Sequence, residues 1–303
     1  MELWLSGSII LEDVNKIDKL DNPDISGVEF GFLESSNDLE IINSFAKRKN
    51  IDLGFHHPII KQSKDDIVLS RQITSHKEEI RKKALEQVKY NLSIAANYGA
   101  RYFLVHAPSE IRNKDEIKIS GNQYKMIVNE SLDKLEMLSD EYNIPVIIES
   151  DGPNPYFNKP ENLKELFELH KNLAHCLDTM HFAVFTGKYK YPCTTKELIS
   201  ELSDVTYSIH LSNTISPAGT GIDHRPIQGS RHLRLPVHPE QNPKDGWVDI
   251  LEVINQVRSK NPNVILVMEH IPFRSFDKEV LEILGYNPLA YEKESINWLC
   301  SLL

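Results

Sequence analysis

Short runs of apolar, β-branched and aromatic residues alternate along the chain with longer segments in which apolar residues recur at helical spacing. Eight of these runs are candidate strands: LWLS (3–6), GVEFGF (27–32), IDLGF (51–55), YFLVH (102–106), PVIIE (145–149), CLDT (176–179), TYSIHL (206–211) and VILVME (264–269). Several runs are apolar almost throughout, as expected for parallel strands that are covered on both faces. The pattern therefore predicts eight parallel strands.

The segments between the runs are rich in helix formers and predict the crossover helices that parallel strands need. They span residues 38–50, 75–99, 122–142, 160–172, 195–203 and 249–260, and residues 291–303 predict an amphipathic last helix. Asn37 and Asp38 stand where the cap of the first helix is expected. Pro160 fits a first helical turn, and Gly99 stands where the long second helix should end.

Eight strand–helix units predict a closed (β/α)8 TIM barrel that occupies the whole chain, residues 1–303, as a single domain. Barrels of this kind commonly exceed about 250 residues, so the length does not require a second domain. A doubly wound open sheet is the alternative, but LSGSII after the first strand lacks the GxGxxG turn of that fold. The connection from 212 to 247 is too long for a plain loop, which indicates a functional segment.

Composition and charge argue against several classes of protein. Apolar residues make up 40% of the chain, and no run approaches the roughly 20 residues that cross a bilayer. The start, MELWLSGSII, lacks the basic region of a secretory signal. Cys176, Cys193 and Cys300 form no CxxC pair, which favours a reducing compartment, and we expect a cytoplasmic protein. The formal charge of −10 disfavours nucleic-acid binding unless a local basic patch opposes it.

Residues that bind metals are concentrated where the candidate strands end, the place where barrel enzymes carry their chemistry. Nine of the twelve histidines fall at these ends or in the 212–247 connection. The strand ends supply His56, His57, His106, Glu149, Asp178, His181, His210, Glu269 and His270, and the connection adds Asp223, His224, His232 and His238. The topology would bring the strand-end groups to one mouth of the barrel.

Each of these residues alone has an ordinary explanation as a hydrogen-bonded histidine or a helix cap. Together they would repel one another or stay unsatisfied unless a cation or a bound substrate lay among them. We therefore expect a bound divalent metal, and mixed imidazole and carboxylate ligands favour Zn, Mn, Fe or Co over Mg or Ca. One ion would take Glu149, Asp178, His210 and Glu269, while the other histidines would support these ligands or bind further ions, giving one to three in all.

The order of these ligands resembles that of the xylose isomerase-like barrels, a superfamily of sugar isomerases, sugar epimerases and endonuclease IV. The similarity extends from GVEF to VMEH, and HCLDTMHFAVFTGKY (175–189) is very similar to the endonuclease IV signature in which an aspartate and a histidine bind zinc. LGFHHP and LVHAP resemble segments that carry histidine ligands. The resemblance implies a multi-metal site that uses His57, His106, Glu149, Asp178, His181, His210 and Glu269.

The chain departs from the endonuclease IV pattern at three places, one of which is Ser212 and Asn213 in place of the Asn-Asp after the seventh-strand histidine. The third-strand histidine is followed there by a small residue, Pro and an aromatic that helps to open DNA, but Pro58, Ile59 and Ile60 follow it here. The Asp-x-His of the seventh loop corresponds to the adjacent Asp223 and His224, so that His224 is the expected ligand and His232 or His238 could compensate.

The first functional hypothesis is an isomerase or epimerase of a sugar, a sugar phosphate or a related polyol ketone. The metal would bind adjacent carbonyl and hydroxyl oxygens and stabilise an enediolate. Glu149 and Glu269 would exchange protons with the substrate, and His181 is the third expected catalytic residue. His57, Asp223 and Arg225 are the expected substrate-binding residues.

Two further hypotheses stay open. In one, two or three zinc ions generate a hydroxide that cleaves abasic DNA, and RHLRLPVH (231–238) supplies a small basic patch. In the other, the barrel binds a metal or a ligand without catalysis. A small carbohydrate is the expected partner under the first hypothesis, nucleic acid is a partner only under the second, and no membrane is involved.

Overall fold

A computed structural model describes residues 1–61, 63–109, 111, 119–150, 154–157, 159–184, 195–213, 235–245, 247–270 and 288–303. It confirms the predicted (β/α)8 barrel, since eight parallel strands pair in sequence order and β8 closes on β1. The strands are β1 Glu2–Ser6, β2 Gly27–Phe30, β3 Asp52–His56, β4 Tyr102–His106, β5 Val146–Glu149, β6 Leu173–Asp178, β7 Thr206–Leu211 and β8 Ile265–Met268.

Helices lie between the strands and follow the last one. They are α1 Ser36–Lys49, α2 Lys64–Ser70, α3 Glu78–Asn97, α4 Gly121–Tyr142, α5 Pro160–Leu169, α6 Thr179–Val184, α7 Thr195–Leu202, α8 Ile250–Lys260 and α9 Pro288–Cys300. The sequence pattern does not predict α2 or α6, because each spans at most two turns. Among the helices that the structure describes, none is long and apolar enough to cross a membrane.

Of the three helix ends that the sequence predicts, two agree with the structure. Pro160 lies in the first turn of α5, and Gly99 follows α3 with a φ of +67°, as predicted. The predicted cap of α1 is wrong, because Ser35 is the N-cap and Asp38 is the third helical residue. Ser35 Oγ accepts from Asp38 N (3.4 Å) and Asp38 Oδ2 accepts from Ser35 N (3.0 Å), so the two residues form a capping box.

The barrel interior is filled from one end by apolar side chains and from the other by polar ones. Successive residues of a strand point to opposite faces, so every second residue enters the barrel. The apolar interior layer consists of Trp4, Tyr102, Leu104, Ile147, Cys176, Ile265 and Val267. On β4, Phe103 and Val105 face the helices instead and join the outer core. The alternation places His106, the last residue of β4, inside the carboxyl end of the barrel.

His175 on β6 gives a stability prediction that does not involve the barrel mouth. Its ring contacts Phe167 of α5 (ring centres 5.4 Å apart), and Nδ1 lies 3.3 Å from Thr206 Oγ1. Burial lowers the pKa of His175 to about 3. Because the unfolded chain then binds this proton more readily, stability should fall as the pH drops from about 6.5 towards 3, by about 1.4 kcal/mol per pH unit.

We expect His175→Gln to remove this contribution, so that the free energy of unfolding changes less steeply between pH 6 and pH 4. Urea titrations followed by circular dichroism across this range measure the slope. His76→Gln, at a more exposed histidine, is the control. An unchanged slope in His175→Gln would show that His175 titrates alike in the folded and unfolded chains.

Candidate metal centre

Buried carboxylates and imidazoles from seven consecutive strands meet at the carboxyl end of the barrel. They are Glu29 of β2, His56 of β3, His106 of β4, Glu149 of β5, Asp178 of β6, His181 of α6, His210 of β7 and Glu269, which directly follows β8. None of them is more than 8% exposed. So much ionisable surface is rarely buried unless the groups are paired or bind a metal.

Glu149 lies at the centre of this cluster. Its Oε2 is 3.4 Å from His106 Nε2, 3.3 Å from His210 Nδ1 and 4.0 Å from His56 Nε2. Its Oε1 is 3.3 Å from His181 Nε2. One carboxylate therefore faces histidines from three strands and from α6, an arrangement in which its two oxygens can serve different partners.

Asp178 and His181 are brought together by the short helix α6. Asp178 Oδ1 accepts hydrogen bonds from Met180 N (2.7 Å) and His181 N (3.0 Å), which caps the helix as it leaves β6. The helical turn then places His181 Nε2 3.5 Å from Asp178 Oδ2. The spacing of three residues in DTMH thus lets one oxygen hold the local backbone while the other faces the cluster.

His210 has carboxylates beside both of its ring nitrogens. Nδ1 lies 3.2 Å from Glu269 Oε2 and 3.3 Å from Glu149 Oε2. Nε2, on the other side of the ring, lies 3.2 Å from the Glu29 carboxylate. The end of β7 is held by Thr179, whose hydroxyl donates to His210 O (3.1 Å).

The donor atoms are spaced as the ligands of one ion are. Asp178, His210 and Glu269 offer ligand atoms within 4.8 Å of one another, and so do His56 and His106 with Glu149. Bonds of about 2.0–2.2 Å to a metal leave neighbouring ligand atoms roughly 3.0–3.5 Å apart. The separations of 3.2 and 3.3 Å around His210 Nδ1 fall within this range. The residues present therefore fit a divalent cation.

The charges of the cluster stabilise one another. Burial on its own would raise the pKa of Glu149, but His106 and hydrogen bonds from His106, His181 and His210 hold it well below its usual range. The cluster thus stabilises Glu149 as a carboxylate, the form that binds a cation.

The histidines of the cluster differ in their electrostatic environment. Burial and the neighbouring His106 lower the pKa of His56 to about 4, which favours the neutral ring that binds metals. Burial would also lower the pKa of His210, but Cys176, Glu29 and Glu269 raise it well above its usual value. A cation beside Nδ1 of His210 would occupy the position that a proton otherwise takes.

The cluster contains six of the eight residues that the sequence predicts as metal ligands: His106, Glu149, Asp178, His181, His210 and Glu269. The seventh, His57, lies elsewhere. Its ring packs on Phe103 with ring centres 5.6 Å apart, in the layer between barrel and helices. Because adjacent residues point to opposite faces, His56 rather than His57 enters the barrel. The role of each residue as a ligand stays a prediction.

The remaining predicted site residues belong to the seventh connection. Asp223, His224 and Arg225 lie outside the described residues, as does His232. His238 is described, and its Nε2 lies 2.9 Å from Glu294 Oε2 of α9. The structure thus pairs His238 with the last helix.

Sequence reasoning missed Glu29 and Glu12. Glu29 stands in the apolar run GVEFGF, and a glutamate inside a strand that is covered on both faces requires a buried partner. That was the available signal. Glu12 follows a 3-10 helix, Gly7–Ile10, with a left-handed φ of 58°. Burial raises the pKa of its carboxyl well above the usual range, and no sequence motif marks this residue.

A cavity of about 320 Å³ opens beside the cluster. Glu149 and Glu269 line it, together with Glu12, Phe32 and Arg71. Cavities of about 300 Å³ and above bind small molecules in many proteins. The cavity therefore has room for a small polar compound in contact with both carboxylates.

A family model described as xylose isomerase-like TIM barrel matches residues 21–302. The chain belongs to this family. Among the described elements, the match covers β2 to β8 and α1 to α9, in agreement with the resemblance seen in the sequence. The search of curated proteins gave no significant match.

Solved structures with the same fold are named for different activities. The 3-keto-D-glucoside 4-epimerase of E. coli is 14% identical with a TM-score of 0.65, and the match covers 99% of each chain. D-psicose 3-epimerase from Clostridium cellulolyticum H10, solved with D-tagatose, is 12% identical with a TM-score of 0.63 over 97% of this chain and 96% of that one. An AP endonuclease, family 2, from Brucella melitensis is 15% identical with a TM-score of 0.59 over 95% and 100%. At these identities the similarity establishes the fold alone.

Proposed function

We propose that the protein is a divalent-metal-dependent isomerase or epimerase of a small sugar or sugar phosphate. The proposal rests on two carboxylates that lie beside His210 Nδ1, Glu149 Oε2 at 3.3 Å and Glu269 Oε2 at 3.2 Å. Both residues border the cavity. The fold shared with two sugar epimerases supports the proposal.

Glu149, Asp178, His210 and Glu269 would hold one ion, and Zn, Mn or Co suits this mixture of carboxylate and imidazole. When bound, the ion polarises adjacent carbonyl and hydroxyl oxygens of a sugar and so acidifies the C–H bond between them. All four residues are buried, so the ion would be held away from bulk water.

Glu149 and Glu269 would transfer the proton. They lie at the ends of β5 and β8, which are three strands apart around the barrel, and both border the cavity. One carboxylate can remove a proton from one face of the substrate carbon, and the other can return a proton to the opposite face. His181, whose Nε2 is 3.3 Å from Glu149 Oε1, would orient Glu149 and a substrate oxygen.

Exchange with heavy water tests the proposal. The protein, loaded with manganese or cobalt, is incubated in D2O with D-psicose, D-tagatose, D-fructose and their 6-phosphates. We expect one deuterium at the stereocentre beside the carbonyl of at least one compound, seen by NMR, and no exchange after chelation. If no compound of the panel takes up deuterium in the presence of the metal-loaded protein, the isomerase proposal is contradicted for these sugars. The phosphodiesterase considered next is then favoured.

The second candidate is a multi-zinc phosphodiesterase that acts on abasic DNA. It is favoured by the group of His56, His106 and Glu149, whose ligand atoms lie within 4.8 Å of one another and could hold another ion beside the first. Against it stands the formal charge of −10. Cleavage of an abasic duplex by zinc-loaded protein, abolished in His106→Ala, would make this the function.

A further inference from the structure

We propose that Glu29 and Tyr102 position His210 so that it binds the metal through Nδ1. The inference rests on the metal-dependent function proposed above, because it concerns a ligand of the same site. Neither residue would touch the ion. Their contribution would be to orient one ligand and to determine which of its nitrogens carries the proton.

The Glu29 carboxylate has two partners inside the barrel. The Tyr102 hydroxyl donates to Glu29 Oε2 (2.8 Å), and His210 Nε2 lies 3.2 Å from the same carboxylate. Glu29 is 1% exposed, and Tyr102 and His210 are fully buried. Side chains from three strands, β2, β4 and β7, therefore meet at the Glu29 carboxylate within the cluster.

The two nitrogens of His210 face different carboxylates. Glu149 and Glu269 lie at 3.3 and 3.2 Å from Nδ1, on the side of the cavity, while Glu29 lies beside Nε2. A neutral imidazole carries one ring proton, and only the other nitrogen can bind a metal. When a cation, rather than a proton, lies between Nδ1 and the carboxylates of Glu149 and Glu269, the Glu29 carboxylate beside Nε2 accepts the ring proton in a hydrogen bond, and the lone pair of Nδ1 is left for the ion. The ligand nitrogen thus faces the other metal-binding carboxylates.

Tyr102 holds Glu29 in place because its own ring is immobilised. The ring stacks on Trp4 with centres 5.2 Å apart and an interplanar angle of 25°. A Cβ at Gly54 would come within 2.6 Å of Tyr102 Cζ, so only glycine at that position leaves room for the ring. Because the ring is immobilised, the Tyr102 hydroxyl stays directed at the Glu29 carboxylate.

A purely structural role for the pair would be to keep a buried charge satisfied. That role predicts a loss of stability on mutation and no specific effect on metal affinity. Positioning predicts a loss of affinity, because partners that orient metal-binding histidines typically contribute about 10- to 100-fold. Metal affinity and the ring tautomer therefore distinguish the two roles.

The test compares Glu29→Gln and Tyr102→Phe with the unmodified protein. Zn²⁺ dissociation constants are measured by competition with a chromophoric chelator, and stability is measured in parallel. We expect Zn²⁺ binding to weaken about 10- to 100-fold in Glu29→Gln and by a smaller factor in Tyr102→Phe. Glu40→Gln is the matched control, since Glu40 Oε1 also accepts a hydrogen bond from a tyrosine hydroxyl, that of Tyr98 (2.7 Å), away from the cluster.

Nitrogen NMR of the zinc-loaded, unmodified protein provides a readout that needs no variant. Long-range proton–nitrogen spectra should show His210 protonated at Nε2 and metal-bound at Nδ1. Zinc on Nε2 would overturn the proposal even if Glu29→Gln failed to fold. Zn²⁺ affinity in Glu29→Gln within twofold of the unmodified protein would also overturn it and leave the proposed function standing. An unmodified protein that takes up no metal would overturn both.

Discussion

Glu269→Gln is expected to lower the turnover number for a sugar substrate by about 100- to 10,000-fold while the barrel stays folded. Glutamine keeps the volume of the side chain and one oxygen, but it cannot accept or return a proton. In the proposed reaction that proton transfer is shared between Glu269 and Glu149, so neither carboxylate substitutes for the other. The turnover number is measured on the compound that shows exchange in D2O, at a metal concentration that saturates each protein, because Glu269 is also a proposed ligand.

Glu252→Gln is the matched control for this prediction. Glu252 forms an exposed ion pair with Lys196 (2.6 Å) on the outer helices, away from the cavity. Its replacement should leave turnover unchanged. If Glu269→Gln retained turnover near that of the unmodified protein, the assignment of Glu269 as an acid or base would be wrong, and the Glu149→Gln variant would then show whether a single carboxylate carries both steps.

Asp178→Asn is expected to weaken the binding of Zn²⁺ or Mn²⁺ by about 100-fold or more. Loss of a residue that only orients a ligand costs up to about 100-fold in affinity, and loss of a ligand itself should cost at least as much. The two oxygens of Asp178 have separate roles. Oδ1 caps α6 through Met180 N and His181 N, and an asparagine oxygen can do the same. Oδ2 faces the cluster, where the amide that replaces it brings neither charge nor a lone pair. The variant should therefore fold and lose metal.

Asp249→Asn is the control that separates the effect of changing a helix cap from the effect of losing a metal ligand. Asp249 Oδ1 caps α8 by accepting from Glu252 N (3.0 Å), outside the cluster. Isothermal titration with each metal gives the metal affinity of the two variants, and thermal unfolding of the metal-free proteins gives their stability. Equal metal affinity in Asp178→Asn and the unmodified protein would exclude Asp178 from the ligand set.

Much of the fold could be predicted because its signals are local. Eight apolar runs separated by helical segments require parallel strands with crossovers, and the strands of the structure overlap every one of them. Two local predictions were wrong because the sequence signals behind them were weaker. Ser35 caps α1 in place of the predicted Asn37 or Asp38, and Thr179 begins α6 although the sequence favours a strand there. A capping aspartate can end a strand within one residue.

The sequence by itself determined the polar content of the barrel mouth. Carboxyl ends of parallel strands meet at one end of a barrel, so residues that end strands, such as His106, Glu149 and His210, converge whatever the details of packing. Position along the chain was enough to select them. It could not distinguish His56 from His57, because the two are adjacent where β3 ends and only the direction of the pleat decides which one enters the barrel.

Only the tertiary structure decided which groups contact and orient His210. Glu29, Tyr102 and Gly54 come from three strands, and nothing near them in sequence indicates that they meet. They meet because β2, β3 and β4 pair in a register that sets Glu29 against Gly54 and Gly54 against Tyr102. Closure of the barrel then brings β7, with His210, across the interior to the same carboxylate. Such contacts depend on strand register and closure, which are long-range properties of the fold.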